Sequence, residues 1–186
     1  MMSRMSKSKL PNIVILASGN GSNFEAIVNA TRKGILNANI LRLITNKKCF
    51  AEERAKKLGI SHTRLKDNWA EELFVLLKEL APDLVVLAGF MKILPSKIVN
   101  NFKIVNIHPS LLPAFPGKDA IKQAYEYGVK VTGITIHFVD EGVDTGPIIF
   151  QKALEIDGLT LEEVEKEIHK LEHKHYPQVI ESILNS

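Results

Sequence analysis

The stretch NIVILASGNGSNFE, residues 12–25, sets an unbroken apolar run against two glycines and the start of a helix-like pattern. A run with no polar alternation suits a strand covered on both faces, the environment of a parallel sheet. Gly19 and Gly21 turn that strand into a helix, so unpaired backbone N–H groups stand beside the positive end of the helix dipole, a natural seat for a phosphate. Ser22, with Glu25 three residues on, offers the alternative of a tight turn and a capping box. No Lys-Ser or Lys-Thr follows, so this is not a P-loop, and Phe24 occupies the place of the third glycine of a dinucleotide fingerprint. A lone phosphate suits the loop better than a dinucleotide.

Working outward, the segments ANILRLIT, SHTRL, DLVVLAG and KIVNIH alternate with the helix-like stretches SNFEAIVNATRKG, FAEERAKKLG and NWAEELFVLLKELAP. Such alternation implies an α/β fold, a mostly parallel twisted sheet flanked by helices. Past Gly117 a short helix over 120–127 precedes VTGITIHFVD and IIFQKAL, expected to pair as an antiparallel addition in the C-terminal half. In the first of these, Thr132, Ile134, Ile136 and Phe138 share the face expected to be buried, and Gly133, Thr135 and His137 share the other. Thr160 and Glu163 form a capping box opening a long last helix, which Pro177 is expected to kink or interrupt.

With 186 residues and 45% hydrophobic content, the chain is expected to fold as one unit over residues 12–186, behind a disordered leader at 1–11. Cys49 is the only cysteine, which excludes an intrachain disulfide and a cysteine-cluster zinc site and points to a reducing, cytoplasmic home. The leader has no apolar stretch of signal-peptide length, and the runs IVILA and LVVLAGFM are too short to span a bilayer. A net charge of +3, from 24 basic and 21 acidic residues, is too balanced to argue for nucleic acid or membrane partners.

The chemistry gathers at IVNIHPSLLP, residues 104–113, where Asn106 and His108 point to the same side of a strand end. For an amine attacking a formyl or related acyl carbon, the developing oxyanion needs donors and the amine must lose a proton. The Asn106 amide and a protonated His108 can donate, and the Asp144 carboxylate can stabilise the imidazolium and accept or relay a proton. Asp144 equally suits the role of acceptor for backbone N–H groups in its glycine-rich turn, and spacing alone does not bring it to His108. His169 and His173 share a helix face, but no HExxH is present and a metal is not expected. Met91 and Phe90 follow LVVLAG as pocket lining or core, and Lys47, Lys48, Arg64 and Lys66 read as surface charges within reach of a phosphate.

Taken in order, SGNGSN, LAGFMKIL, NIHPSLLPAFPG, GITIHFVDEGVDTGPII and EHKHYP resemble the phosphoribosylglycinamide formyltransferase family, folate-dependent transformylases of purine synthesis, and the resemblance covers Asn12 to nearly the end. It implies a Rossmann-like formyltransferase fold with a phosphate-binding half, about 12–100, and a folate-binding catalytic half, about 101–186. The site would lie at the strand ends between them. It implies a catalytic trio of Asn106, His108 and Asp144. The glycinamide ribonucleotide would be held by Gly21, Ser22, Asn23, Pro109 and Glu172, with Lys66 as the basic phosphate contact and Arg64 close behind. The folate pocket would comprise Met91, Lys92, Ile93 and Leu94 together with Val139, Asp140, Glu141, Gly142 and Val143, with Leu87 and Val105 as further contributors. Lys92 stands where arginine is frequent in the family, and His169 where some members have glutamine.

The resemblance further implies 10-formyltetrahydrofolate as formyl donor, glycinamide ribonucleotide as acceptor, no metal, and a monomer or weak homodimer. Formyltetrahydrofolate deformylase is the principal alternative, since it passes the same group to water, but it typically carries an extra N-terminal domain. Methionyl-tRNA formyltransferase normally adds a C-terminal tRNA-binding domain. A non-catalytic folate or nucleotide sensor would have no need for all of Asn106, His108 and Asp144.

Overall fold

The computed structural model describes residues 9–186, so most of the expected leader lies outside the described residues. Five parallel strands run through β1 (Asn12–Ala17), β2 (Asn39–Thr45), β3 (His62–Arg64), β4 (Leu84–Leu87) and β5 (Ile104–His108). Then β6 (Val131–Phe138) pairs antiparallel with β5, and β7 (Ile148–Glu155) pairs antiparallel with β6, in the sheet order β3-β2-β1-β4-β5-β6-β7. The helices are α1 (Ser22–Arg32), α2 (Phe50–Leu58), α3 (Trp69–Leu80), α4 (Ser96–Val99), α5 (Ala120–Tyr127) and α6 (Leu161–Leu184).

The period of two along each strand divides the core into two layers. Ile13, Ile15 and Ala17 of β1 join Phe24 and Ile27 of α1 and Val164, Ile168 and Tyr176 of α6. Val14 and Leu16 point the other way and join Leu73 and Leu77 of α3 and Ile98 of α4. The apolar run of β1 therefore has no polar face because both faces are covered.

Strand order reverses direction at β1, flanked by β2 on one side and β4 on the other. In open α/β sheets the carboxyl ends of strands at such a switch point frame a crevice. Here the crevice opens where the Ser18 N–H donates to the carbonyl of Gly89 at 3.0 Å, joining the loops that leave β1 and β4.

The expected burial of the Thr132, Ile134 and Ile136 face holds and extends to the other face, since Thr132 through His137 of β6 are all buried. The reason is the turn after β5: it folds over the second face, where the Leu112 N–H donates to Thr135 Oγ1 at 3.0 Å and a Cβ on Gly133 would sit 2.7 Å from Leu111. The interruption expected at Pro177 is corrected: helix α6 continues through it. Pro177 is itself buried between Tyr176 and Val179, so packing on the sheet holds the helix course across the missing N–H. Among the described residues no helix is long and apolar enough to cross a membrane.

Candidate active site

A cleft of about 830 Å³ lies over the carboxyl ends of the parallel strands. At one end is the glycine loop. Gly21 has φ 78° and its missing Cβ would lie 2.7 Å from the Cα of Ala51, so both backbone conformation and close packing require glycine. It also caps α1 from the left-handed region without a side-chain bond, which removes Ser22 from the capping-box role. Instead Ser22 begins the helix, its hydroxyl 3.0 Å from Nε2 of His173 on α6, while Glu25 pairs with Arg54. Among the described residues nothing partners the buried Oδ1 of Asn23. Ser18, almost fully buried, joins the two ends of the cleft: its Oγ accepts the Met91 N–H at 2.8 Å and donates to Asn46 Oδ1 at 2.5 Å.

At the centre, β5 delivers Asn106 and His108 to one side, and antiparallel register with β6 sets His137 opposite Asn106. The Asn106 Nδ2 lies 3.4 Å from His137 Nε2. His108 Nε2 is 2.8 Å from the Phe115 carbonyl, an acceptor only, so Nε2 carries a proton and the exchangeable position is Nδ1. That Nδ1 faces Asp144 Oδ2 at 3.5 Å. The other carboxylate oxygen of Asp144 faces His137 Nε2 at 3.7 Å, and the Gly117 N–H donates to Oδ2 at 2.8 Å. Asp144 thus stands against the histidine, and the backbone N–H it accepts comes from Gly117 in a distant turn; within its own glycine-rich loop it is Asp140 that accepts the Gly142 N–H, at 2.9 Å. Burial raises its pKa, but His137, the Gly117 N–H and the charge of His108 together outweigh that, and the carboxyl sits below its ordinary value.

The far wall is α6. Tyr176, fully buried, donates its O–H to the Leu87 carbonyl at 2.7 Å and so pins the helix beneath the ends of β4 and β5. One turn earlier Glu172 is buried at the cleft, bonded at 2.8 Å to His169 Nδ1. That carboxylate raises the His169 pKa, against the opposing effect of burial.

The cleft brings together Gly21, Ser22, Asn23, Met91, Lys92, Ile93, Leu94, Asn106, His108, Pro109, Val139, Asp140, Gly142, Val143, Asp144 and Glu172. Lys66 and Glu141 do not line it: the Lys66 N–H is bonded to Glu72, and the Glu141 carboxylate accepts from Asn100 Nδ2 at 3.1 Å. Arg64 is bonded to buried Glu52 through Nε at 2.9 Å and Nη2 at 2.6 Å, whereas Lys47 does line the cleft. Met91, Ile93 and Val143 are large apolar side chains left about half to two-thirds exposed at its mouth, a surface that a flat hydrophobic ligand would cover. His137 is the site residue that sequence reasoning missed. Its signal lay in the antiparallel pairing of VTGITIHFVD with KIVNIH, which puts it beside Asn106 once the register is known.

A family model described as formyl transferase matches residues 11–180. The phosphoribosylglycinamide formyltransferase of Bacillus subtilis is 46% identical, with 94% of this chain and 95% of that protein covered. The trifunctional purine biosynthetic protein adenosine-3 of Bos taurus is 39% identical over 94% of this chain, which spans only 18% of that protein. The crystal structure of phosphoribosylglycinamide formyltransferase from Bacillus halodurans superimposes with a TM-score of 0.88 at 43% identity, covering 93% of this chain and 95% of that one. The chain belongs to the formyl transferase family, among its phosphoribosylglycinamide formyltransferases.

Proposed function

We propose that the chain moves the formyl group of 10-formyltetrahydrofolate to the amino group of glycinamide ribonucleotide, with Asn106, His108 and Asp144 carrying the proton and charge movements. The observation that supports this most strongly is the Asp144 carboxylate between two imidazoles, His108 Nδ1 at 3.5 Å and His137 Nε2 at 3.7 Å, in a cleft that also contains an anion-binding glycine loop. The phosphate would rest on the N–H groups of Gly21 to Asn23, with Glu172 toward the ribose side. The pterin would lie between residues 91–94 and 139–143, against the exposed apolar side chains of Met91, Ile93 and Val143. Glycinamide ribonucleotide and a reduced folate are thus the small-molecule partners.

In the reaction the amine nitrogen forms a bond to the formyl carbon as the carbonyl electron pair moves onto oxygen. Asn106 Nδ2 and the proton on His108 Nδ1 are the donors for that oxygen. Asp144, ionised at neutral pH, offsets the charge of the imidazolium and takes the proton that the amine loses. Collapse of the tetrahedral intermediate breaks the bond to the folate nitrogen, which leaves with a proton delivered through the same pair. The Phe115 carbonyl keeps Nε2 protonated throughout, so Nδ1 is the position that cycles.

Incubation of the purified protein with 10-formyltetrahydrofolate, with and without glycinamide ribonucleotide, tests this function. Formation of tetrahydrofolate that depends on the amine is expected. Release of formate at the same rate without the amine would make the protein a hydrolase, and binding without turnover would make it a sensor.

A further inference from the structure

The turn Phe115-Pro116-Gly117 touches both members of the acid–base pair. Its first carbonyl accepts from His108 Nε2 at 2.8 Å, and its last N–H donates to Asp144 Oδ2 at 2.8 Å. Phe115 holds φ 51° and Gly117 φ 83°, and Asp144 itself holds φ 54°. A phenylalanine and an aspartate in the left-handed region are strained, and they persist only where the surroundings over-determine them.

Two side chains outside the acid–base pair hold the turn. Ser110, with no exposed surface, donates its hydroxyl to the Ala114 carbonyl at 2.6 Å and lies 3.3 Å from the same Phe115 carbonyl that receives His108. From the other side the Phe115 ring packs edge-on against Tyr127 at the end of α5, with centroids 5.7 Å apart and planes at 67°. Tyr127 is 80% exposed, so the core does not require it. Ser110 is itself anchored to the sheet, because its carbonyl accepts the Thr135 hydroxyl at 2.7 Å.

We infer that Ser110 and Tyr127 are positioning residues for the formyl transfer: by fixing the Phe115–Gly117 turn from two sides, they hold His108 with its exchangeable proton on the nitrogen facing Asp144. Neither touches the reacting atoms. Loosening the turn lets Nε2 lose its acceptor and the carboxylate its N–H donor together, so the two catalytic groups drift as a unit. The inference rests on His108 and Asp144 being the acid–base pair proposed above.

The test compares wild type with Ser110→Ala, Tyr127→Ala and Tyr127→Phe, measuring kcat, KM for both substrates, the pH–rate profile and the ¹⁵N signals of the His108 ring. Tyr127→Ala and Ser110→Ala are expected to lower kcat by about tenfold with KM little changed, a loss on the scale of one misaligned proton-transfer partner. The acid limb of the profile should move to higher pH as Asp144 loses the Gly117 donor, and the His108 Nε2 signal should lose its hydrogen-bonded character. Tyr127→Phe, which retains the ring edge, should behave as wild type. Ser110 is buried, so if Ser110→Ala fails to fold, the exposed Tyr127 pair decides. Wild-type kcat, profile and ring signals in Tyr127→Ala would overturn the inference, as would a lowered melting temperature alone. The ring signals report the positioning even if the transferase function fails, so the two failures are distinguishable.

Discussion

Replacing Asp144 with asparagine isolates the charge at the centre of the site. The shape is nearly conserved, and the asparagine carbonyl can still accept the Gly117 N–H now bonded at 2.8 Å. What disappears is a negative charge 3.5 Å from His108 Nδ1, between side chains only 12% and 7% exposed. At an effective dielectric of about 20, a full ion pair at that separation is worth up to about 5 kcal/mol. Part of that is already present before the amine attacks, so a transition-state loss of about 3 kcal/mol is a reasonable share, or on the order of a hundredfold in kcat. The assay is amine-dependent formation of tetrahydrofolate at saturating substrates, with melting temperature measured alongside. Turnover within threefold of wild type, in a folded variant, would refute the role given to this carboxylate. The pH dependence follows from the same group. Its folded pKa lies below the ordinary carboxylate value, so its contribution to stability and to rate is complete above that value and is lost as pH falls through the depressed one. Wild type should show that acid limb, and Asp144→Asn should lack it.

Other substitutions probe the elements around this centre. Ser22→Glu places negative charge at the start of α1 where the phosphate should rest, and is expected to raise KM for glycinamide ribonucleotide at least tenfold, with KM for the folate little changed; an unchanged KM for the ribonucleotide would move the phosphate elsewhere. Gly21→Ala puts a Cβ 2.7 Å from Ala51 at φ 78°, and should lower the melting temperature and weaken ribonucleotide binding together; no loss of stability would contradict the close packing described. Tyr176→Phe removes a fully buried O–H from the Leu87 carbonyl and should cost about 1–2 kcal/mol of stability by denaturant unfolding; a neutral effect would show that α6 is held by packing alone.

Much of this arrangement was legible before any coordinates. Continuous apolarity in NIVILA and DLVVLAG marked central parallel strands, because only strands covered on both faces can omit polar positions. The spacing of Asn106 and His108 fixed their common direction from β5. Long-range geometry was less accessible. That Asp144 folds back onto His108 depends on the pairing of β6 with β5 and on a left-handed backbone at Asp144 itself, neither of which local spacing encodes. His137 escaped notice for the same reason: its face of β6 is buried by the turn at 110–112, a tertiary cover that alternation along the strand cannot reveal. Pro177 misled in the opposite direction, since a long helix anchored by the buried side chains of Tyr176, Val179 and Ile180 overrides a local helix-breaking tendency. Lys66 rests on a poorly aligned part of the resemblance and does not line the cleft, whereas the loop carrying Lys47 packs against the glycine loop, through the Asn46 contact with Ser18 and the Ala51 N–H bonded to the Gly19 carbonyl at 3.0 Å.

The central claim is that one cleft seats a sugar phosphate and a reduced folate on either side of the Asn106, His108 and Asp144 cluster. A crystal structure with glycinamide ribonucleotide and a folate analogue that cannot release its formyl group tests it most directly. The phosphate is expected on the N–H groups of Gly21 to Asn23, and the acceptor amine and formyl carbon beside the His108–Asp144 pair, within hydrogen-bond reach of Asn106 and of that pair. A phosphate bound away from the glycine loop, or an amine held beyond reach of both side chains, would contradict the account.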